Sequence, residues 1–245
     1  RELLAMTNLI VSPSLTWIGS HAIKGCTALT NFYPTPGATY VGDYCFMNCS
    51  MITNIEVSAN ATHFGDRCFA DCSKLETFTP RDLPRLTYIG PASFGNDALL
   101  GGDWYLRAWN SIGTSSAGGG FNGCRPENVT LKVMGGVAIT DYVFSSMAAG
   151  GGIWWECETA PASLGKGCFK SIDDGNYLRI YVKNGYDRAA WEALCTRTRE
   201  NLTATDLARP DYPAGRNVIG LIDSNNNKAW VIRWSKDEAT LLLVR

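Results

Sequence analysis

Apolar positions recur along the chain in two nested patterns. The longer one is a six-residue phrase: Ile18-Gly19-Ser20-His21-Ala22-Ile23, Val41-Gly42-Asp43-Tyr44-Cys45-Phe46, and Phe64-Gly65-Asp66-Arg67-Cys68-Phe69. It continues as Ile89-Gly90-Pro91-Ala92-Ser93-Phe94, and returns as Ile139-Thr140-Asp141-Tyr142-Val143-Phe144 and Leu164-Gly165-Lys166-Gly167-Cys168-Phe169. A degenerate copy ends at Phe121, where Phe121-Asn122-Gly123-Cys124 parallels Phe46-Met47-Asn48-Cys49. The last residue of each phrase is an apolar anchor: Ile23, Phe46, Phe69, Phe94, Phe121, Phe144 and Phe169. Successive anchors stand 23, 23, 25, 27, 23 and 25 residues apart. A period of this size marks a stacked array of short coils.

The shorter pattern follows each anchor. Apolar residues fall at positions 1, 4 and 6 of a short segment, as in Leu29-x-x-Phe32-x-Pro34, Ile52-x-x-Ile55-x-Val57 and Leu75-x-x-Phe78-x-Pro80. Met6-x-x-Leu9-x-Val11 repeats it, so the chain is expected to begin part-way through a repeat. Alternation of this kind predicts strands with one face turned into the coil. The strands expected are residues 52–57, 75–80, 129–133, 153–157 and 178–182, among about eight parallel strands over residues 6–183. The Gly of each phrase predicts a tight bend where a side chain would clash, and the Cys or Asn-Cys after the anchor predicts a small buried group ending a short helical turn. One coil cannot bury its own apolar face, and stacking makes the core continuous.

Beyond the array, Asp187 is placed to N-cap a helix running to about residue 199, with Trp191, Leu194, Cys195 and Thr198 on one face. After Pro210 and Pro213, two apolar runs (218–222 and 229–234) flank an Asn-rich stretch, which predicts a hairpin; residues 241–244 offer a third strand. The organisation expected is therefore a solenoid over 1–183, a capping helix over 184–207 and a hairpin or meander tail over 208–245.

These residues resemble a known family. The phrase Ile-Gly-x-x-Ala/Cys-Phe-x-x-Cys-x-x-Leu-x-x-Ile is similar to the BspA-like, or Treponema-type, leucine-rich repeats of bacterial surface proteins, over roughly residues 6–195. The segment Leu178-Arg179-Ile180-Tyr181-Val182, with Gly185 and Ala189-Ala190-Trp191, resembles the closing part of such arrays, although Lys183-Asn184 stands where Pro is common. The resemblance implies a right-handed leucine-rich solenoid of α/β repeats with a parallel sheet on one face. It also implies an exported or cell-surface protein that binds a host protein or glycan, and it carries no catalytic residues.

Composition narrows the partners. Apolar residues make up 45% of the chain and charged residues 18%, enough for a packed core, and the net charge is -1 with no basic run. Nucleic acid and anionic membrane are poor partners for such a surface. No stretch approaches the ~20 apolar residues of a membrane span. The chain starts at Arg1 with no initiator Met or signal pattern, so residues upstream are expected.

The chemistry-bearing residues read as structure. Of nine Cys, Cys26, Cys49 and Cys72 share one repeat position and Cys45, Cys68 and Cys168 another. Rungs on coils ~4.8 Å apart suit free thiols better than bridges, which want Cβ atoms ~3.8 Å apart. An odd count leaves at least one unpaired, and no four-ligand zinc set is demanded. Of the two His, His21 falls inside a repeat phrase and His63 in a turn, neither with an identifiable Cys, Ser or carboxylate partner, so both are expected to be surface or turn residues. The glycine run 117–120 lacks the Gly-Lys-Ser/Thr ending of a phosphate loop. Asp43, Asp66 and Asp141 recur at one repeat position, as turn residues do. No enzyme, cofactor or metal is expected.

A partner is expected on the outward positions of the strands. In the early coils these are Asn8, Asn31, Asn54, Thr77 and Thr79, with Tyr33 and Glu56 as exceptions. In the later coils they become Lys132, Trp154, Glu156, Arg179 and Tyr181, and the irregular coil contributes Trp104, Tyr105, Arg107 or Trp109, depending on register. Aromatic and Arg residues of this kind build hot spots and suit sugar rings. The alternative is that Trp104 or Trp154 is buried beneath the 94–121 insertion. A structural element of a larger surface or phage-type assembly, and a carbohydrate-positioning accessory domain, are the competing functions.

Overall fold

The computed structural model describes residues 5–33, 37–97, 99–100, 102–106, 111–112, 120–121, 124, 129–133, 152–155, 157, 159–161, 163, 178–182, 187–194, 218–222 and 228–233. Each of the first four coils has three sides. The first side is a three-residue strand: β1 (Asn8–Ile10), β3 (Asn31–Tyr33), β5 (Asn54–Glu56) and β7 (Thr77–Thr79). The second is a two-residue strand: β2 (Trp17–Ile18), β4 (Tyr40–Val41), β6 (His63–Phe64) and β8 (Tyr88–Ile89). A fifth coil supplies β9 (Gly102–Leu106) and β10 (Ser111–Ile112).

First-side strands pair in parallel as β1-β3-β5-β7, with Leu9, Phe32, Ile55 and Phe78 in one register row. Second-side strands pair as β2-β4-β6-β8-β10. This second parallel sheet is absent from the sequence reading, which took each phrase as a bend followed by a helical turn.

The third side departs from that reading too. Residues 19–26, 42–49, 65–72 and 90–97 form successive turns, not a helix. The residues two before and two after each anchor have positive φ: His21 and Gly25, Tyr44 and Asn48, Arg67 and Asp71, Ala92 and Asn96. A right-handed helix cannot hold them. Their alternation turns every second N–H toward the next coil, so His21, Ile23 and Gly25 donate to Asp43, Cys45 and Met47 carbonyls at 2.8–2.9 Å. Tyr44, Phe46 and Asn48 donate to Asp66, Cys68 and Ala70 in the same sense. The expected tight bend is present: a Cβ on Gly42 would lie 2.6 Å from the Ser20 nitrogen of the preceding coil.

The anchors stack along the interior. Phe46–Phe69, Phe69–Phe94 and Phe94–Phe121 lie with ring centroids 5.2–5.5 Å apart, all fully or almost fully buried. Threonines reinforce the coil corners: Thr39, Thr62 and Thr87 each pass a hydroxyl to the carbonyl of the Thr one coil earlier, Thr16, Thr39 and Thr62.

After β7 the first side shifts. The β9 strand meets the segment after β7 through a single parallel bridge between Asp82 and Tyr105. From β9 the sheet continues in parallel through β11 (Val129–Val133), β12 (Gly152–Trp155) and β13 (Leu178–Val182). Helix α1 (Arg188–Ala193) follows, with Asp187 Oδ1 accepting the Ala190 N–H at 3.0 Å. Its Trp191 packs edge-on against Trp155 at 5.4 Å. Strands β14 (Val218–Ile222) and β15 (Lys228–Arg233) form an antiparallel hairpin, and β15 pairs in parallel with β13. The expected continuation of the helix to residue 199 and the strand at 241–244 lie outside the described residues.

Candidate binding surface

The sheet register decides which later residues share a face. Tyr105, Lys132, Trp154 and Tyr181 are consecutive register partners on β9, β11, β12 and β13. They alternate with Trp104, Trp155, Ile180 and Val182, which are buried, so the row lies on the side of the sheet away from the core. Arg179 stands one register row over, level with Gly152 and Trp230. Arg107 and Glu156 lie outside the described residues.

The row contains two stacked pairs, Lys132 on Tyr105 and Trp154 on Tyr181. The Lys132 ammonium sits 5.2 Å from the centre of the Tyr105 ring and pairs with Asp103. Burial pulls the ammonium pKa down, but Asp103 and Tyr105 more than offset it and leave it raised. Trp154 and Tyr181 stack at 4.7 Å with 21° between their planes. Rings stacked along the solenoid cover one another's faces and turn their edges outward. Tyr181 is only 7% exposed, less than its outward position suggests.

Trp104 takes the inward alternative. It is 1% exposed and packs 4.9 Å from Phe78 and 4.8 Å from Phe94, filling in the fifth coil the place Phe78 fills in the fourth. In the early coils Tyr33 is 46% and Ile10 83% exposed on the outward row, while Glu56 and Thr79 beside them are also exposed.

A second outward row was missed in the sequence. Trp17, Tyr40, His63 and Tyr88 are register partners on β2, β4, β6 and β8. They stack at 5.9, 4.2 and 4.4 Å, the last two with only 9° between ring planes. His63 is therefore held between two tyrosines, and His21 stacks on Tyr44 at 5.0 Å. The signal was present, since each of these residues precedes the apolar residue that opens a phrase. Burial lowers the His63 pKa, with Asp43 and Asp66 pulling the other way. Burial and the Asp66 carboxylate, which accepts the Tyr88 hydroxyl at 3.1 Å, push Tyr88 up to about 12.

Cys26, Cys45, Cys49, Cys68, Cys72 and Cys124 are free and buried, and Cys157 is half-buried. Burial pushes the Cys45 and Cys49 thiols up to about 12 and the Cys68, Cys72 and Cys124 thiols well above the usual range. Among the described residues no cluster of His, Cys, Asp or Glu is arranged to hold a metal, and no helix is long and apolar enough to cross a membrane.

No curated protein and no solved structure matches the chain. The family model described as BspA type leucine rich repeat region matches residues 2–101 in six copies. Over that span the coils, their phrase and their parallel strands match the BspA-type leucine-rich repeat.

Proposed function

We propose that the chain is a non-enzymatic recognition module of an exported, surface-exposed protein. In this reading it binds a protein or glycan ligand along the outward row of its later strands. The observation that carries the reading is the register: Tyr105, Lys132, Trp154 and Tyr181, far apart in sequence, fall on one row of adjacent strands. Arg179 extends the surface by its register position, and Arg107 and Glu156 by sequence. Because the rings show edges, the row favours a ligand rich in hydrogen-bond acceptors, met by the Lys132 ammonium and the Tyr105 hydroxyl. The helix and hairpin serve as the closing cap, a role supported by the packing of Trp191 on Trp155.

A second reading rests on the same stack. Rings that cover one another clamp neighbouring coils, which suits a structural element of a larger assembly. A screen of the purified chain on glycan and protein arrays, followed by substitution, separates the two. Trp154→Ala and Tyr181→Ala should each weaken binding of the ligand found by more than ~1 kcal/mol, while Asn31→Ala and Thr77→Ala leave it unchanged. Negligible effects from all four, with circular dichroism unaltered, would place the site elsewhere. Loss of stability without any ligand would favour the structural reading.

A further inference from the structure

The residue three after each anchor forms a ladder through the core: Cys26, Cys49, Cys72, Asp97 and Cys124 in successive coils. Each thiol from the second coil on has one task. Cys49 donates to the Ile23 carbonyl at 3.2 Å, Cys72 to Phe46 at 3.3 Å and Cys124 to Phe94 at 3.1 Å, in every case the anchor of the preceding coil. One rung is missing from this series. The anchor carbonyl left over is that of Phe69, and its partner by repeat position is Asp97. No donor among the described residues reaches the Phe69 carbonyl.

Asp97 is placed for that rung. Its side chain is fully buried, and Oδ1 accepts the Cys72 N–H at 2.9 Å. Oδ2 is buried with no hydrogen-bond partner among the described residues. By repeat position, Asp97 and the Phe69 carbonyl, both acceptors, stand where elsewhere in the ladder a thiol hydrogen joins the pair. A single proton on Oδ2 satisfies both, since a protonated carboxyl is a donor as well as an acceptor.

We propose that Asp97 is held in the folded chain as the un-ionised acid, with its Oδ2–H donating to the Phe69 carbonyl, so that the joint between the third and fourth coils is operated by one proton. The groups that face Asp97 offer an anion no support. From the third coil they are the Cys68 and Cys72 thiols and the Asp71 carboxylate, and from the fifth the Cys124 thiol. Among the described residues, no Lys, Arg or His is among the groups acting on it. Burial pushes the carboxyl up, against the pull of the Cys72 N–H, and Asp71 adds to the rise. Losing the proton leaves a buried, unpaired charge against a bare carbonyl, which weakens the contact between two coils in an array that depends on such contacts.

The test is a pair of measurements on the whole chain. Asp97→Asn keeps an acceptor for the Cys72 N–H and supplies a neutral N–H donor for Phe69. An unfolded aspartate ionises near ~3.9. Between that pH and the pH at which the folded group ionises, wild-type folding should weaken relative to the Asn variant by about tenfold in equilibrium constant per pH unit. Urea unfolding from about pH 4 to about pH 8 reads this gap. The Asp97 carboxyl ¹³C resonance should stay at its protonated position at neutral pH. If the Asn variant does not fold, Asp97→Cys, which copies the neighbouring rungs, takes its place with the same expected trend. An ionised Asp97 resonance at neutral pH, or a gap that does not change with pH, overturns the proposal.

Discussion

Substituting Gly90 by alanine probes how closely the coils stack. A Cβ there would lie 2.5 Å from the Asp66 nitrogen and 2.6 Å from the Gly65 carbonyl carbon, both backbone atoms of the preceding coil. Ordinary contact needs ~3.5–4.0 Å, so the coils must part locally by about 1 Å. The Gly90 N–H to Phe64 carbonyl bond, 2.8 Å, and the Arg67 N–H to Pro91 carbonyl bond, 2.9 Å, then stretch past a useful length. Overpacking costs ~1–3 kcal/mol and each lost bond ~1 kcal/mol, which puts Gly90→Ala at ~3–5 kcal/mol. Gly25→Ala is the control. Gly25 has a φ of 73° with nothing within 4 Å of its added Cβ, so only the left-handed backbone resists the change. That strain is ~1–2 kcal/mol, partly offset by the stiffer unfolded chain, for a net ~1 kcal/mol. Urea midpoints at unchanged m-value provide the comparison. A Gly90→Ala loss no greater than that of Gly25→Ala would refute the close stacking argued here.

Two further outcomes follow from burial. Cys45, Cys49, Cys68 and Cys72 should resist alkylation in the native chain near neutral pH, because burial keeps them as thiols, and all four should react in denaturant without a reductant; any that stays unreactive there is bridged. His63 should make the chain acid-sensitive. Its folded pKa is lowered, so the stability it contributes is complete above ~6.5, the unfolded value, and is lost as pH falls toward the folded one. His63→Gln should flatten that acid limb, and an unchanged limb sinks the argument.

Much of the array was legible in the sequence because its repeat is physical. The anchors must fill the same interior slot, so Phe46, Phe69 and Phe94 recur at fixed spacing, and the Gly of each phrase must admit a neighbouring backbone. The second sheet escaped notice because its strands are two residues long, too short for alternation to register, and Tyr40-Val41 or His63-Phe64 reads as part of a bend. The turns of the third side were half-visible. Gly25, Asn48, Asp71 and Asn96 are residues that tolerate positive φ, but Tyr44, Arg67 and Ala92 are not, and Tyr44 and Arg67 each donate an inter-coil hydrogen bond from that conformation. On the outward row, Lys132, Trp154 and Tyr181 followed from counting alternation. The inward choice of Trp104 depended on the register across the 94–121 stretch, which sequence spacing left open. The stacking of Trp154 on Tyr181, which turns edges rather than faces outward, could not be read from residue types at all.

The central claim is that parallel coils continue in one stack from the BspA-type repeats into the strands that carry the outward row. Ile10 on β1 and Lys132 on β11 are five strand spacings of ~4.8 Å apart in that stack, about 24 Å. Spin labels at Ile10→Cys and Lys132→Cys, with Cys157, Cys168 and Cys195 replaced by Ser and the buried thiols left in place, make this distance measurable by pulsed electron spin resonance. A single narrow distribution near that distance, broadened only by label length, is the result expected. A broad distribution, or one centred well beyond it, would contradict a continuous stack and remove the basis for the row as a single surface.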